Sequence, residues 1–265
     1  MRETEDTGKL EMNIIVFDTE TIGKVSQDLL NIGYHIVDVN IQQGTAEVLQ
    51  KRDYLVTSLI NNRVYCLNDD FVGAEKYGMY LTLLEDKQII KRSIPQIFKT
   101  LANDLKRYNV LFGYAYNNQF DLDKFSKTAA QYGIDNPMET IPQFDIWGYA
   151  CKYICDTPEY KTWATENGIL TATQTYISTS VESVSKYLYN DLEFKEDHTA
   201  LSDTKHELNI LLECIKKGCD ITRDTKRFFI NSDKILNETL VINGETIEVE
   251  YKKKYTRNGK TTYKM

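Results

Sequence analysis

The sequence lacks a long apolar segment, which limits where the chain can reside. Although 42% of its 265 residues are hydrophobic, no uninterrupted apolar run approaches the roughly 20 residues that a helix needs to cross a bilayer. Residues 1–11 are polar and contain no apolar core of a secretory signal. We therefore expect no membrane association, a cytoplasmic location, and a polar lead-in over residues 1–11.

Histidines are few, and the cysteines do not form pairs. The chain has 3 histidines and 5 cysteines, and the cysteines are scattered without a C-x-x-C spacing. A zinc site of the cysteine and histidine type is therefore not expected. An odd number of scattered thiols is typical of reduced cysteines in the cytosol.

An overall excess of positive charge is missing as well. The formal net charge is −7, which argues against tight, non-specific coating of nucleic acid. The last residues differ, because 251–265 carry basic side chains and no acid. Within them, Lys252, Lys253 and Lys254 lie between two tyrosines. Lysines follow phosphates and aromatic rings stack on bases, so we expect these lysines to bind nucleic acid; the alternative is a solvated basic face.

The most informative feature that is present is an acidic pair behind an apolar run. Residues 14–17 read Ile-Ile-Val-Phe, which predicts a buried strand. Asp18 and Glu20 follow the run and project to the same side of an extended chain. Two acids at the end of a buried strand are costly unless a cation holds them, so the pair predicts metal ligands. The alternative is a solvated strand edge.

Two later segments add carboxylates and a histidine. Residues 112–121, Phe-Gly-Tyr-Ala-Tyr-Asn-Asn-Gln-Phe-Asp, end in Asp121. The string from His198 to Asp203 reads His-Thr-Ala-Leu-Ser-Asp and opens an expected helix. Taken singly, Asp121 could be a helix cap and Asp203 an exposed helix acid. Together with the first pair they indicate a cluster of acids, which is poorly tolerated without cations.

In chain order the segments supply Asp, Glu, Asp, His and Asp, a set that resembles the DEDDh branch of the proofreading-exonuclease superfamily. The resemblance covers roughly residues 12–216, and its first and third motifs match closely. The second motif keeps Asn117 and Asp121 at the family spacing, but Tyr116 stands where the family commonly has histidine.

The resemblance implies a fold and a chemistry. The fold would be a ribonuclease H-like α/β mixed sheet flanked by helices, and the activity a metal-dependent 3′→5′ exonuclease that releases nucleoside monophosphates. Two divalent cations, Mg²⁺ or Mn²⁺, would be bound by hard oxygen ligands. They would stabilise the negative charge on the phosphate and on the entering and leaving oxygens during hydrolysis. The metal ligands implied are Asp18, Glu20, Asp121 and Asp203, and His198 is the implied general base.

The resemblance also implies substrate contacts and partners. Thr21 would lie near the terminal 3′ hydroxyl, Ile22 would wedge against the last base, and Asn117 would hold the strand. The expected substrates are 3′ ends of single-stranded nucleic acid, with DNA favoured, and a polymerase or other replication or repair protein is a further candidate partner. Two alternatives stay open: an RNA-directed exonuclease of the same family, and a non-catalytic nucleic-acid-binding module on this fold. The sequence does not determine the oligomeric state.

The pattern of elements divides the chain into a lead-in over 1–11, an exonuclease domain over 12–220 and a C-terminal basic β extension over 221–265. Two segments, 59–90 and 156–180, have few regular signals and are interpreted as insertions. The domain contains four clearly predicted elements: antiparallel strands at 32–42 and 46–55, and helices at 94–108 and 201–217. In the extension, Asn-Gly pairs at 243–244 and 258–259 predict the tight turns of a small β-meander.

Overall fold

The chain is seen in a computed structural model that describes residues 11–70 and 72–232, and the backbone of four further strands after residue 235. Its centre is one six-stranded mixed sheet. The strands are β1 (Glu11–Ile22), β2 (Asp28–Asn40), β3 (Thr45–Val56), β4 (Ile90–Arg92), β5 (Phe112–Ala115) and β6 (Gln143–Asp145). Their order is β4-β3-β2-β1-β5-β6, with β1–β2 and β2–β3 antiparallel and the other pairs parallel.

Helices flank this sheet, which confirms the expected α/β class. In the described part of the chain the α-helices are α1 (Thr57–Ile60), α2 (Arg63–Leu67), α3 (Gly73–Glu85), α4 (Ile94–Arg107), α5 (Asn118–Tyr132), α6 (Ile146–Ala150), α7 (Pro158–Glu166), α8 (Val181–Tyr189) and α9 (Ala200–Lys216). A 3₁₀ turn (Pro137–Thr140) precedes β6, and a π-helical turn (Cys151–Cys155) continues α6. Among the described residues, no helix has the length and apolar character required of a membrane span.

Strand β1 is buried on both faces, because successive side chains of a strand point to opposite sides of the sheet. Ile14 and Val16 join a cluster that includes residues of α6, α8 and α9. Ile15 and Phe17 join a second cluster that includes residues of α4 and α5. The sheet is therefore a middle layer between two layers of helices, and β1 lies at its centre.

The clearly patterned elements agree with the structure. The predicted hairpin is the β2–β3 pair, and α4 begins at a capping box in which the Ser93 backbone N–H donates to Gln96 Oε1 at 3.1 Å. The apolar positions of α4 at intervals of three and four residues are buried, as an amphipathic helix requires. The elements predicted from long periodic segments are therefore present in the structure.

The two segments interpreted as insertions contain helices, so that interpretation missed secondary structure. Residues 59–90 hold α2, α3 and the end of α1, and α3 is 13 residues long. Tyr80 of α3 is buried with Ile22, Leu30 and Leu55, and Tyr77, Leu83 and Leu84 pack against the same cluster. These positions lie three and four residues apart, so α3 has an apolar face that the sequence interpretation overlooked. Within 156–180, α7 begins with Pro158 behind the N-cap residue Thr157, a helix signal that the sequence does contain.

The C-terminal strands pair as two hairpins and not as one meander. Strands β7 (Leu236–Ile242) and β8 (Glu245–Tyr251) form one two-stranded sheet, and β9 (Lys253–Arg257) and β10 (Lys260–Lys264) form another. The predicted long strand across 247–255 is therefore divided between two sheets. The predicted turn residues, and most of the lead-in over 1–11, lie outside the described residues.

The expected domain boundary at 220/221 does not coincide with a break in packing. Ile221 and Ile230 are 1% and 3% exposed, and both belong to the cluster that contains Ile14 and Val16 of β1. The segment that follows α9 therefore packs on the main body of the protein at least as far as Ile230.

Candidate metal centre

The start of α9 packs closely on β2, the strand beside β1. A Cβ atom at Gly33 would lie 2.2 Å from the backbone nitrogen of Leu201, so only glycine lets the helix approach this far. The fully buried Asn31 accepts a hydrogen bond from the backbone N–H of Ala200 at 2.8 Å. These two contacts fix the first turn of α9, which contains Asp203, next to the end of β1.

Asp121 reaches the same place from α5. Asn117 turns the chain between β5 and α5 with a left-handed φ of 62°, and its backbone N–H donates to Asp145 Oδ1 at 2.8 Å. Asp121 lies inside the first turn of α5 and not at its cap, and it is 2% exposed. It accepts a hydrogen bond from Thr19 Oγ1 at 2.6 Å. Because Thr19 lies between the two acids of β1, this bond holds Asp121 beside them.

A fifth carboxylate that the sequence reasoning missed comes from α9. Glu207 follows Asp203 by one helical turn, and the two side chains are 3% and 7% exposed. The nearby backbone N–H of Tyr116, the residue after β5, favours the ionised form of Glu207, although burial raises the pKa of this acid overall. The spacing of four residues from Asp203 was the available signal, since such residues share a helix face.

Two of these buried carboxylate oxygens have no hydrogen-bond donor. Asp203 Oδ1 and Glu207 Oε2 are shielded from solvent and lack a partner among the described residues. A buried acceptor without a partner costs about 1–3 kcal/mol, and more when it is charged. The oxygens therefore point to a group that the chain itself does not provide.

His198 lies at the open side of the cluster. It is solvent-exposed on the loop before α9 and adopts a left-handed φ of 52°. One ligand atom each of Glu20, His198 and Asp203 can be chosen so that all three lie within 4.8 Å of one another. The structure therefore brings together the first and third predicted motifs.

Burial and mutual repulsion raise the pKa of Asp18, Asp121, Asp203 and Glu207. Burial is the main cause for each of these four, and it raises the pKa of Asp121 to about 7 and that of Asp203 to about 8. Burial, followed by the charges of Asp121 and Glu207, raises the pKa of Asp18 well above its usual range. Burial and the charge of Asp121 do the same to the pKa of Glu207. Without cations, the cluster therefore retains protons.

A lysine that the sequence reasoning missed partly offsets the negative charge. Lys76 of α3 places its Nζ atom 2.9 Å from Glu20 Oε2, and the two side chains are 16% and 20% exposed. One ammonium is a weak compensation for five carboxylates, because each like-charged pair at 4 Å repels by about 4 kcal/mol at an effective dielectric of 20. A site made of carboxylate oxygens, some of them buried without a hydrogen-bond partner, suits hard divalent cations such as Mg²⁺ or Mn²⁺.

The residues predicted to contact substrate lie in different environments. Thr21 is partly buried beside the acids of β1, and the Asn117 side chain accepts a hydrogen bond from Arg227 Nη1 at 2.8 Å. Ile22 is 0% exposed and packs with α3, so contact with a base would require the covering segment to move. The side chains of Lys252, Lys253 and Lys254 lie outside the described residues.

A cationic and aromatic surface next to Asn117 was not predicted. The Arg227 guanidinium lies 4.4 Å from the centre of the Trp147 ring, and Trp147 in turn stacks on Tyr116. Trp147 and Arg227 border a cavity of about 520 Å³ that is also lined by the exposed Phe229. Arg227 thus connects this surface to the turn that positions α5.

The two other histidines have structural contacts. His206 Nδ1 lies 2.9 Å from the hydroxyl of Tyr189, and His35 Nδ1 lies 2.8 Å from Thr204 Oγ1 at a buried site. Neither belongs to the group formed by Glu20, His198 and Asp203. Of the three histidines, His198 is the one that lies beside the acids of the cluster.

Comparisons with known proteins do not extend the motif resemblance. Neither the models of known protein families nor the sequences of curated proteins match this chain. A function for this chain is therefore inferred from the arrangement of the side chains in the carboxylate cluster and from the topology of the sheet.

Proposed function

We propose that the chain is a divalent-cation-dependent 3′→5′ exonuclease that hydrolyses phosphodiester bonds of single-stranded nucleic acid, with DNA favoured. The observation that carries the proposal is the carboxylate cluster: two acids of β1, one of α5 and two of α9 gather where β1 and β5 end. The strand order, with antiparallel β1–β2–β3 beside parallel β5 and β6, agrees with a ribonuclease H-like fold. The polarity and the preference for chain ends come from the resemblance.

The carboxylates would hold the cations that this chemistry requires. Divalent cations, when bound, supply positive charge to the phosphate oxygens and lower the pKa of a water molecule. The proposed ligands are Asp18, Glu20, Asp121 and Asp203; Glu20 and Asp203 lie beside His198, and Asp121 is the most deeply buried of the four. Asp203 Oδ1 has no hydrogen-bond donor among the described residues, so the site suits such ions.

His198 and Lys76 would act on the open side. An imidazole nitrogen of His198 accepts the proton of the attacking water, a transfer that suits a solvent-exposed histidine beside the carboxylates. The ammonium of Lys76, already held by Glu20, donates a charge-assisted hydrogen bond to the phosphate undergoing cleavage.

The surface around Asn117 would hold the strand behind the cleaved bond. Arg227 can donate to a phosphate oxygen while its guanidinium plane stays on Trp147, because only part of its donor fork is used by Asn117. A nucleic-acid strand that leaves the carboxylate cluster along α5 meets this arginine.

Digestion of end-labelled substrates tests the proposal. With Mn²⁺, the protein should shorten 5′-labelled single-stranded DNA from its 3′ end in single-nucleotide steps, and EDTA should stop the reaction. Asp121→Asn should abolish cleavage, because Asp121 is buried in the cluster. The matched control Asp123→Asn, an exposed acid of the same helix, should cleave normally.

The outcome also separates the alternatives. Digestion of RNA with DNA left intact would favour the RNA-directed exonuclease, and binding of either nucleic acid without cleavage would favour the non-catalytic module. Equal activity of Asp121→Asn and the wild type would contradict the proposed site.

A further inference from the structure

Two adjacent phenylalanines, Phe228 and Phe229, are exposed on a segment that is fixed on both sides. The two rings are 40% and 80% exposed. Before them, a Cβ atom at Gly148 would lie 1.5 Å from the backbone oxygen of Thr225, so the segment contacts α6 closely. After them, Ile230 is 3% exposed and belongs to the core. An exposed apolar pair that the chain holds in place indicates a binding surface.

The two rings line a cavity of about 520 Å³, which is within the range of about 300–1,000 Å³ that small-molecule sites usually have. The Tyr176 ring lies against Phe229, with the ring centres 5.1 Å apart. Ser178, Thr179 and Ser180 supply hydroxyl groups to the lining, and none of the described residues that line the cavity is acidic. The cavity therefore offers apolar surface and hydroxyl groups without negative charge.

A cation lies at the edge of this cavity on a fixed aromatic support. Trp147 Nε1 donates a hydrogen bond to Thr179 Oγ1 at 2.8 Å, and the Trp147 ring stacks on Tyr116 with the ring centres 5.8 Å apart. The guanidinium of Arg227 lies 4.4 Å from the centre of the same Trp147 ring. The position of the positive charge is therefore set by packed aromatic side chains.

Arg227 keeps hydrogen-bond donors for a ligand. It donates from Nη1 to Asn117 Oδ1 at 2.8 Å, which uses one of the five N–H groups of a guanidinium. Arg227 is exposed, and within the described ranges it forms no ion pair with a carboxylate. A planar guanidinium with donors to spare suits the oxygens of a phosphate.

Asn117 connects this cation to the carboxylate cluster. It directly precedes α5, and Asp121 lies in the first turn of that helix. Four helical residues span about 6 Å along the axis, so the two side chains lie about one turn apart. Because phosphates recur every few ångströms along a nucleic-acid strand, one strand can reach the acids and Arg227 together.

We propose that the cavity at Phe229 binds one unpaired nucleobase of the substrate strand, stacked on the Phe229 ring, while Arg227 holds a phosphate of the same strand. The proposal rests on the proposed nuclease function and adds a base-binding site to it. Every base can stack on an aromatic ring, and hydroxyl groups both donate and accept, so the site takes any base. A base within a duplex enters only after it has left its pair and its stack, so the site favours single strands.

Binding of two fluorescein-labelled oligomers, measured by fluorescence anisotropy in EDTA to prevent the proposed hydrolysis, tests this base-binding site. One is a short oligothymidylate, and the other has the same phosphates on sugars without bases. The wild type should bind the oligothymidylate more tightly. Phe229→Ala should weaken binding of the oligothymidylate by roughly 5–150-fold, as expected for loss of one base stack, and should leave binding of the abasic oligomer unchanged. Arg227→Ala should weaken binding of both oligomers and reduce the salt dependence.

Two variants serve as matched controls. Tyr132→Ala removes an aromatic ring that is 43% exposed at the other end of α5. Arg223→Ala removes an exposed arginine that pairs with Asp220. Both variants should bind the two oligomers as the wild type does, and circular dichroism checks that all variants are folded.

Either of two results would overturn the base-binding site. The first is a wild type that binds neither oligomer or binds both equally well, which does not depend on how a variant folds. The second is a folded Phe229→Ala variant with wild-type affinity for the oligothymidylate, and in that case the cavity serves another ligand, such as an apolar peptide.

The binding test is independent of the digestion assay. If Phe229→Ala selectively loses affinity for the oligothymidylate while no nucleic acid is cleaved, the base-binding site stands and the exonuclease proposal fails. If DNA is digested from its 3′ end while the wild type binds both oligomers equally, the exonuclease proposal stands and the base-binding site is refuted.

Discussion

The carboxylate cluster has an open side, where Glu20 and Asp203 lie beside His198, and an inner side formed by Asp121 and Glu207, which are 2% and 3% exposed. Helix α9 contributes one acid to each side. On the open side, His198 comes from an exposed loop. Lys76 of α3 pairs there with Glu20, and 16% of the lysine side chain is exposed.

On the inner side, Asp121 accepts a hydrogen bond from Thr19 Oγ1 of β1. Glu207 Oε2 has no hydrogen-bond partner among the described residues. Within the described ranges, neither acid forms an ion pair with a basic side chain.

We propose that the two sides have different roles. Groups that must exchange protons with water lie on exposed segments, whereas groups that must keep fixed positions around an ion lie on the sheet and on packed helices. Changes can therefore be chosen that affect both sides, one side, or the protonation of each side separately.

The largest effect is expected from Gly33→Ala, which affects both sides. The new Cβ atom would lie 2.2 Å from the backbone of Leu201, so α9 must move, and it carries one acid of each side. We expect near-complete loss of nuclease activity and a loss of about 1–3 kcal/mol of stability from overpacking. Thermal unfolding and digestion assays measure the two effects.

The matched control is Gly78→Ala. No atom lies within 4 Å of a Cβ at Gly78, which is in α3, so alanine there should stabilise the helix by about 1 kcal/mol with activity intact. Equal activity of Gly33→Ala and Gly78→Ala would refute the role of the close helix contact.

A smaller effect is expected from His198→Ala, which affects the open side alone. Turnover should fall by roughly 10²–10⁴-fold if the imidazole accepts the proton of the attacking water. Mn²⁺ binding by the inner acids should be unchanged. His206→Ala is the control, because His206 contacts Tyr189 away from the acids. A larger loss for His206→Ala in a steady-state assay would mean that the wrong histidine was assigned.

The smallest effect is a pH dependence of the metal-free protein. The pKa of Asp121 is raised to about 7 and that of Asp203 to about 8, from an ordinary value of 3.8. Because the folded state holds protons that the unfolded state has lost, their contribution to stability falls as the pH rises through 7 and 8. His35, whose pKa is lowered from 6.5 to about 4, has the opposite effect below pH 6.5.

The melting temperature in EDTA should therefore decrease from pH 6.5 to pH 8.5, and the stabilisation by Mn²⁺ should increase over the same range. Asp203→Asn should flatten the upper part of this profile, since its pKa is the higher of the two. If the melting temperature of the metal-free protein instead rises with pH across this interval, the acids are ionised in the folded state and other groups offset their charges.

Much of the open side could be predicted from the sequence, because its acids follow recognisable patterns. Glu20 follows the apolar run of β1, and His198 and Asp203 stand at the start of a periodic helix, so local sequence predicts both elements and the candidate residues on them. The contribution of Lys76 could not be predicted. It lies on α3, whose apolar face was overlooked among its glycines and tyrosines, and its contact with Glu20 is a long-range contact that local sequence does not contain.

The inner side was predicted less completely for a different reason. Glu207 lies in a helix that was expected, but a glutamate in a helix is normally exposed. Its burial depends on the close approach of α9 to β2 over Gly33. This is a long-range contact, which local periodicity does not contain.

The most direct test of the account is the release of the 3′-terminal nucleotide from labelled single-stranded DNA by the wild type and by Asp18→Asn. The charges of Asp121 and Glu207 on the inner side, and of Glu20 and Asp203 on the open side, all raise the pKa of Asp18. We predict Mn²⁺-dependent release of nucleoside monophosphate by the wild type, and none by a folded Asp18→Asn variant. Release by Asp18→Asn at the wild-type rate, or no release by the wild type from either DNA or RNA, would contradict the account.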